Sequence, residues 1–204
     1  MLPRMTDTAS ILQHRGTFET LAGGRVKGVM VRAHMDWVRQ YHGEEALGRV
    51  LRGLPPPIWH ELDTAVATTW CSFDSLIAFD AALQERFGRG RNLMIELGRY
   101  SAFRNLSVTY RFFRRSGVHD FFRRSSVLHS QFQDFGRVEY QRLGTASCEL
   151  RHVAARCFSP LYCASAIGYY QQAAVMHGAA SVTIEEVLCQ CTGGEACVFL
   201  VQWE

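Results

Sequence analysis

Apolar positions along this 204-residue chain change their period near Gly136. Before it they recur at three- and four-residue steps, which give a helix one buried face; after it they fall in short runs, as in strands. GGRVKGVMVRAH reads as a turn and a short strand with Val26, Val29 and Val31 as its apolar positions. MDWVRQYHGEEALGRVLRG then has helical spacing. Trp37, Tyr41, Ala46, Leu47, Val50 and Leu51 fall mainly on one side, Gly43 marks a break, and the proline triplet ends the run. Pro57 opens a further helix, IWHELDTAV, and Ser72 caps one that buries Leu76, Phe79, Leu83 and Phe87 before Gly88 and Gly90 stop it. NLMIELGRYSAFRNLSVTYRFF continues for several turns from a cap at Asn92, and VHDFFRRSSVLHSQFQDFG is another amphipathic helix after Gly117.

Past Gly136, RVEYQRLG and ASCELRHV read as two strands around Gly144. LYCASAIGYYQQAAVMHGA reads as a helix that ends at Gly178. SVTIEEVLCQC and ACVFLVQW close the chain as a hairpin through TGGE. Several helices beside a small antiparallel sheet give the fold class α+β. Residues 1–16 read as a loose lead-in and residues 17–204 as one domain, with no repeat or linker that would split it.

Composition changes this picture little. Apolar residues at 48% and charged residues at 20% suit a soluble globular domain. No apolar run approaches the ~18 residues of a membrane span, and the amino terminus does not read as a signal peptide, so a cytoplasmic location is the default. A net charge of +3 is too small to argue for nucleic acid. The basic residues cluster in RFFRRSGVHDFFRRSS (111–126), which reads as amphipathic helix ends with Phe inward and Arg solvated, or as a face for an anionic partner.

Cysteine usage changes it more. Seven cysteines, an odd number without a secretory signal, argue for thiol or metal chemistry over a disulfide framework. Five of the seven lie between Cys157 and Cys197. Cys163 sits near the start of the predicted helix, Glu186 and Cys189 lie along the first hairpin strand, and Cys197 opens the second. Three thiolates and a carboxylate make a closed set for a structural zinc ion. Residues three apart on a regular strand face opposite ways, so Glu186 and Cys189 converge only where the strand ends or bulges. Cys191 is the substitute ligand, and Glu185 a weaker alternative to Glu186. The competing reading is that these are buried thiols packing as small hydrophobes.

The tail from Gly168 to Trp203 resembles the end of the 4-vinyl reductase domain, whose pattern of G-Y followed by E-x2-C-x3-G-x3-C-x-F is matched by Gly168, Tyr169, Glu186, Cys189, Gly193, Cys197 and Phe199. It is also similar to the aromatic-sensing domains of certain bacterial transcription activators, in which a Cys, 22 residues and E-x2-C-x7-C bind zinc. Cys163, Glu186, Cys189 and Cys197 have that spacing. The front of the chain, including VKGVMVRAHMDWVRQYHGEEALGRVLRGLPP, is similar to an uncharacterised myxobacterial paralogous family with the same ending. These resemblances imply the α+β fold shared by TRAPP tethering subunits and haem-based nitric-oxide sensors, a zinc cofactor, and a dimer. The aromatic sensors hold a phenol-like ligand with a His and a Trp, and neither aligns here; Arg142 and its neighbours occupy the stretch of the Trp.

The expected function is therefore a regulatory domain with a structural zinc, binding a small apolar or aromatic molecule and signalling through a protein partner as a homodimer. The alternatives are a ligand-free tethering scaffold, a tetrapyrrole vinyl reductase and a haem-binding sensor. No catalytic residue is expected, since the Gly-rich pieces lack a phosphate loop or a dinucleotide fingerprint and Cys71 lacks a nucleophile signature. The histidines read as surface or core-edge residues, with His119 and His129 first in line were haem bound. Trp37, Trp59 and Trp70 read as core, or else as a cavity lining.

Overall fold

A computed structural model describes residues 19–108 and 117–204. Strand β1 (Arg25–Lys27) pairs antiparallel with β2 (Trp70–Ser72), Val26 facing Cys71. The expected longer first strand is cut to three residues because helix α1 begins at Gly28 and runs to His42. A Cβ at Gly28 would lie 2.1 Å from the carbonyl oxygen of Val66, so only glycine lets the chain turn into a helix there. Helices α2 (Glu44–Arg52), α3 (Pro56–Thr64), α4 (Phe73–Phe87), α5 (Gly90–Val108) and α6 (Val118–Leu128) follow, and a 3-10 turn spans His129–Gln131. Ser72 caps α4, its hydroxyl accepting from the Ser75 amide at 3.0 Å.

The second half matches the expected texture. Strands β3 (Arg137–Arg142) and β4 (Ser147–Val153) form one hairpin, helix α7 (Pro160–Met176) crosses, and β5 (Val182–Leu188) and β6 (Cys197–Trp203) form the last hairpin. The four strands make one antiparallel sheet in the order β3-β4-β6-β5. Cys148 and Leu150 on β4, with Phe199 and Val201 on β6, are the buried alternate positions of its inner face.

Two apolar clusters result, and α7 belongs to both. Leu161 and Ala164 join the helical cluster with Trp37, Phe73, Phe79 and Leu97, while Cys163, Ile167, Ala173 and Ala174 join the cluster on the sheet with Phe122, Leu150 and Phe199. A helix apolar on all sides is one buried on all sides. Its closest neighbour is α5, and the crossing is glycine on both sides. A Cβ at Gly98 would lie 1.9 Å from the Ser165 carbonyl oxygen, and one at Gly168 would lie 1.8 Å from that of Ile95. The fold is thus α+β, a helical layer packed on a small antiparallel sheet.

The lead-in over residues 1–16 and the first Phe-Phe-Arg-Arg unit (112–115) lie outside the described residues. In the second unit Phe121 and Phe122 are buried and Arg123 and Arg124 are exposed. Among the described residues no helix is long and apolar enough to cross a membrane.

Candidate functional site

Two features carry chemistry. The first is at the β5–β6 end of the sheet. The ladder slips between Glu186 and Leu188 and β5 ends there, which supplies the bulge that convergence of Glu186 with Cys189 requires. The chain then makes a 3-10 turn over Gln190–Thr192, passes Gly193 in the left-handed conformation, and re-enters the sheet at Cys197. The first turn of α7 sets Cys163 above both. The Sγ atoms of Cys163 and Cys197 are 3.5 Å apart, and each lies 3.9 Å from that of Cys189. Cys163, Glu186, Cys189 and Cys197 each bring a donor atom within 4.8 Å of the others, a grouping that could hold a metal ion. Cys191 is buried beside them in the turn but stands outside this set.

The cluster is electrically tense. Burial pushes the Glu186 carboxyl up to about 8, even though Arg91 donates to its Oε2 at 3.1 Å. Its Oε1 is buried with no partner. Hydrogen bonds from the thiols of Cys163, Cys191 and Cys197 pull Cys189 well below the ordinary thiol value. The amide of Gln190 donates to the Cys197 sulfur at 3.4 Å. The other three cysteines, Cys71, Cys148 and Cys157, are buried singly, and burial pushes Cys148 up to about 12.

The second feature is a cavity of about 160 Å³ between the helical layer and the sheet. Met30 and His34 of α1, Leu76 of α4, Ser101 and Leu106 of α5, and Phe121 and Leu128 of α6 line one part of it. The remainder comes from Leu150 and His152 of β4, and from Tyr162, Ala166 and Tyr170 of α7. Most of the wall is apolar. On it, His129 presents two buried ring nitrogens without partners among the described residues, and the Ser101 hydroxyl is also buried and unpartnered. Burial pulls His129 down to about 4 and, helped by the neighbouring His129, pulls His152 down to about 3. Both imidazoles are therefore neutral at neutral pH. Burial raises the Tyr170 hydroxyl well above its usual value, and that hydroxyl shares a hydrogen bond with His152 Nε2 at 2.6 Å.

The sequence picked out the residues of the cysteine cluster and expected a small-molecule site, but it did not fix which residues line the cavity. Of the two histidines singled out for haem, His129 lines it. His119 instead bonds the Tyr140 hydroxyl at 2.7 Å and the Thr145 carbonyl, at the edge of the sheet. Trp37 is core, and Trp70 lies under Lys27 Nζ at 4.0 Å; none of the tryptophans reaches the cavity. His34, read as core-edge with no acid in relation to it, is fully buried with its Nδ1 2.6 Å from Asp80 Oδ1. Those residues are 46 positions apart, so no local signal could have joined them. Helical spacing did lead toward His129, since Phe121, Ser125 and His129 recur at steps of four along α6 and into the 3-10 turn.

No protein-family model and no curated protein matches the chain. Solved structures do. An H-NOX protein from S. oneidensis in an Fe(II)NO ligation state superposes with a TM-score of 0.66 at 16% identity over 87% of this chain and 99% of that one. The unliganded Fe(II) H-NOX protein from K. algicida gives 0.68 at 10% identity, over 87% and 96%. An oxygen-binding H-NOX domain related to soluble guanylate cyclases gives 0.68 at 15%, over 87% and 95%. The fold is that of the H-NOX domains. This corrects the sequence reading on two points. The structural neighbours are H-NOX domains and not 4-vinyl reductases, so the resemblance of the tail does not define the family. Zinc as the cofactor, read from the cysteine spacing and from that resemblance, is overturned as well, because the structures that share the fold are described with iron and haem.

Proposed function

We propose that this chain is a small-molecule-sensing regulatory domain whose ligand occupies the cavity beneath His129. The observation that carries this is the unpartnered imidazole itself. A buried polar group left unpaired costs ~1–3 kcal/mol, and such groups are rare unless a ligand or water meets them. The volume favours a small guest, since an engineered cavity of roughly 150 Å³ holds benzene. A small apolar or aromatic molecule with a polar atom fits a wall of this composition. A cavity with orphaned polar atoms also speaks against the ligand-free scaffold, whose interior would be filled. In this reading α7, shared by both apolar clusters, passes the state of the cavity to a protein partner, with a second copy of the chain as the simplest arrangement.

A second reading follows from the H-NOX fold and from His129. Its neutral imidazole keeps a lone pair on the cavity wall with which it would hold a haem iron. When bound, a haem would supply an iron centre for a diatomic gas. His129 would hold it, and the walls would have to part, since about 160 Å³ is room for one ring. One experiment separates the readings. Native mass spectrometry of the purified chain, followed by hemin titration, is expected to show a retained or exchangeable small organic molecule and no hemin-dependent Soret band. A Soret band that disappears in His129→Ala would instead establish the haem reading. A chain that retains nothing and takes neither hemin nor any small aromatic would sink both.

We further propose that Cys163, Glu186, Cys189 and Cys197 bind a metal ion that prefers thiolates. The three sulfurs stand 3.5 to 3.9 Å apart, close enough to share one ion. The free Glu186 Oε1 supplies the fourth donor.

A further inference from the structure

The helical side of the cavity carries a polar pair that the fold does not need. His34 is on α1 and Asp80 on α4, and they are 4% and 0% exposed. Their Nδ1···Oδ1 distance is 2.6 Å, and Asp80 Oδ2 has no partner. A buried imidazole–carboxylate pair with one carboxylate oxygen unsatisfied is a poor way to join two helices, because an apolar pair of the same volume is commonly as stable or more so. What distinguishes this pair is its place. His34 faces the cavity, while Asp80 stands behind it and is absent from the lining. A carboxylate behind an imidazole fixes its ring and its tautomer: Nδ1–H donates to Asp80, and Nε2 keeps a lone pair for the open side.

We infer that the Asp80–His34 pair reads the ligand of the cavity, and that this ligand is a small apolar molecule bearing one hydrogen-bond donor, an N–H or O–H group. The inference rests on the cavity being a ligand site filled directly by a small molecule. His34 touches the ligand, and Asp80 is a positioning residue acting through it. Ser101 and Asn105 on α5 line the same side, and a hydroxyl and an amide there can assist a donor without imposing one. Leu76, Leu106 and Leu150 give the guest apolar contact, while His129 on the same wall can take a second polar atom, so the donor is read at His34 without exhausting the site.

The test uses the full purified chain and two probes of nearly equal shape, 4-fluoroaniline and 4-fluorotoluene, titrated by fluorine NMR. Only the first carries a donor. The wild type is expected to bind 4-fluoroaniline about tenfold more tightly or better, the discrimination typical of a buried partner left unpaired. His34→Phe alone strands a buried carboxylate, so the double variant His34→Phe/Asp80→Leu removes the pair together. It should fold, still bind 4-fluorotoluene, and prefer the aniline by no more than about twofold. Asp80→Asn, which keeps the imidazole but loosens its orientation, should fall between. Equal affinity of the wild type for both probes, or a preference that survives in the double variant, overturns the inference and leaves the cavity site standing. Failure of both probes to bind the wild type overturns the site and the inference together.

Discussion

Glu186 shows how one residue's role depends on a single irregularity. On an unbroken β5 its carboxylate and the Cys189 thiol would face opposite sides of the sheet. The slip between Glu186 and Leu188 turns them toward Cys163 and Cys197. That requirement was legible in the sequence, because E-x2-C on a strand cannot converge otherwise. Which cysteine completes the set was not legible, since Cys189 and Cys191 share a face for as long as the strand stays regular. The 3-10 turn after Cys189 breaks that equivalence. Metal analysis of protein purified without chelators is therefore expected to find one ion per chain in the wild type and in Cys191→Ser, and almost none in Cys197→Ser. Metal retained in Cys197→Ser, or a fully folded wild type with no metal, would show that the sulfurs merely pack.

At the scale of elements, the α5–α7 crossing controls both features. Helix α7 carries Cys163 toward the sulfur cluster and Tyr162, Ala166 and Tyr170 toward the cavity, while α5 carries Ser101. Gly168→Ala places a methyl group 1.8 Å from a backbone oxygen that cannot swing away, so the helices must separate. Overpacking of this kind costs typically ~1–3 kcal/mol, and in a domain of this size each kcal/mol lowers Tm by about 2–4 °C. A melting curve should fall by roughly 5 °C, with ligand or metal retention falling too. An unchanged Tm would mean that the crossing is looser than its geometry. Helix positions were legible because one-sided burial repeats over many turns, as for Leu76, Phe79 and Leu83 on α4. Strand β2 was not, because three residues contain too little alternation to show a period of two, and Trp70 stays partly exposed. The end of β1 was hidden for another reason: the carbonyl that forces glycine at position 28 belongs to Val66, remote in sequence.

For the molecule as a whole, the H-NOX architecture is kept at 10–18% identity while the polar groups inside it are set by this chain. Those groups should appear in the acid stability of the entire fold. His129 titrates near 4 in the folded state because burial opposes its charge, against an ordinary value of 6.5. The unfolded chain therefore binds the proton more readily, and stability is complete above about 6.5 and lost as pH falls toward 4. A difference of this size corresponds to about 3 kcal/mol at most. His129→Phe removes the proton site and keeps a ring on the cavity wall. Urea unfolding from pH 7 to pH 4 should show the wild type losing more stability than this variant, by up to that amount, with the divergence beginning near pH 6.5. Curves that run parallel through the window would place the His129 nitrogens in contact with solvent. They would also remove the orphaned imidazole on which the ligand site is argued. Divergence that widens when a retained small molecule is present would show the ligand donating to that same nitrogen and holding it neutral, joining the acid sensitivity of the fold to the occupancy of its cavity.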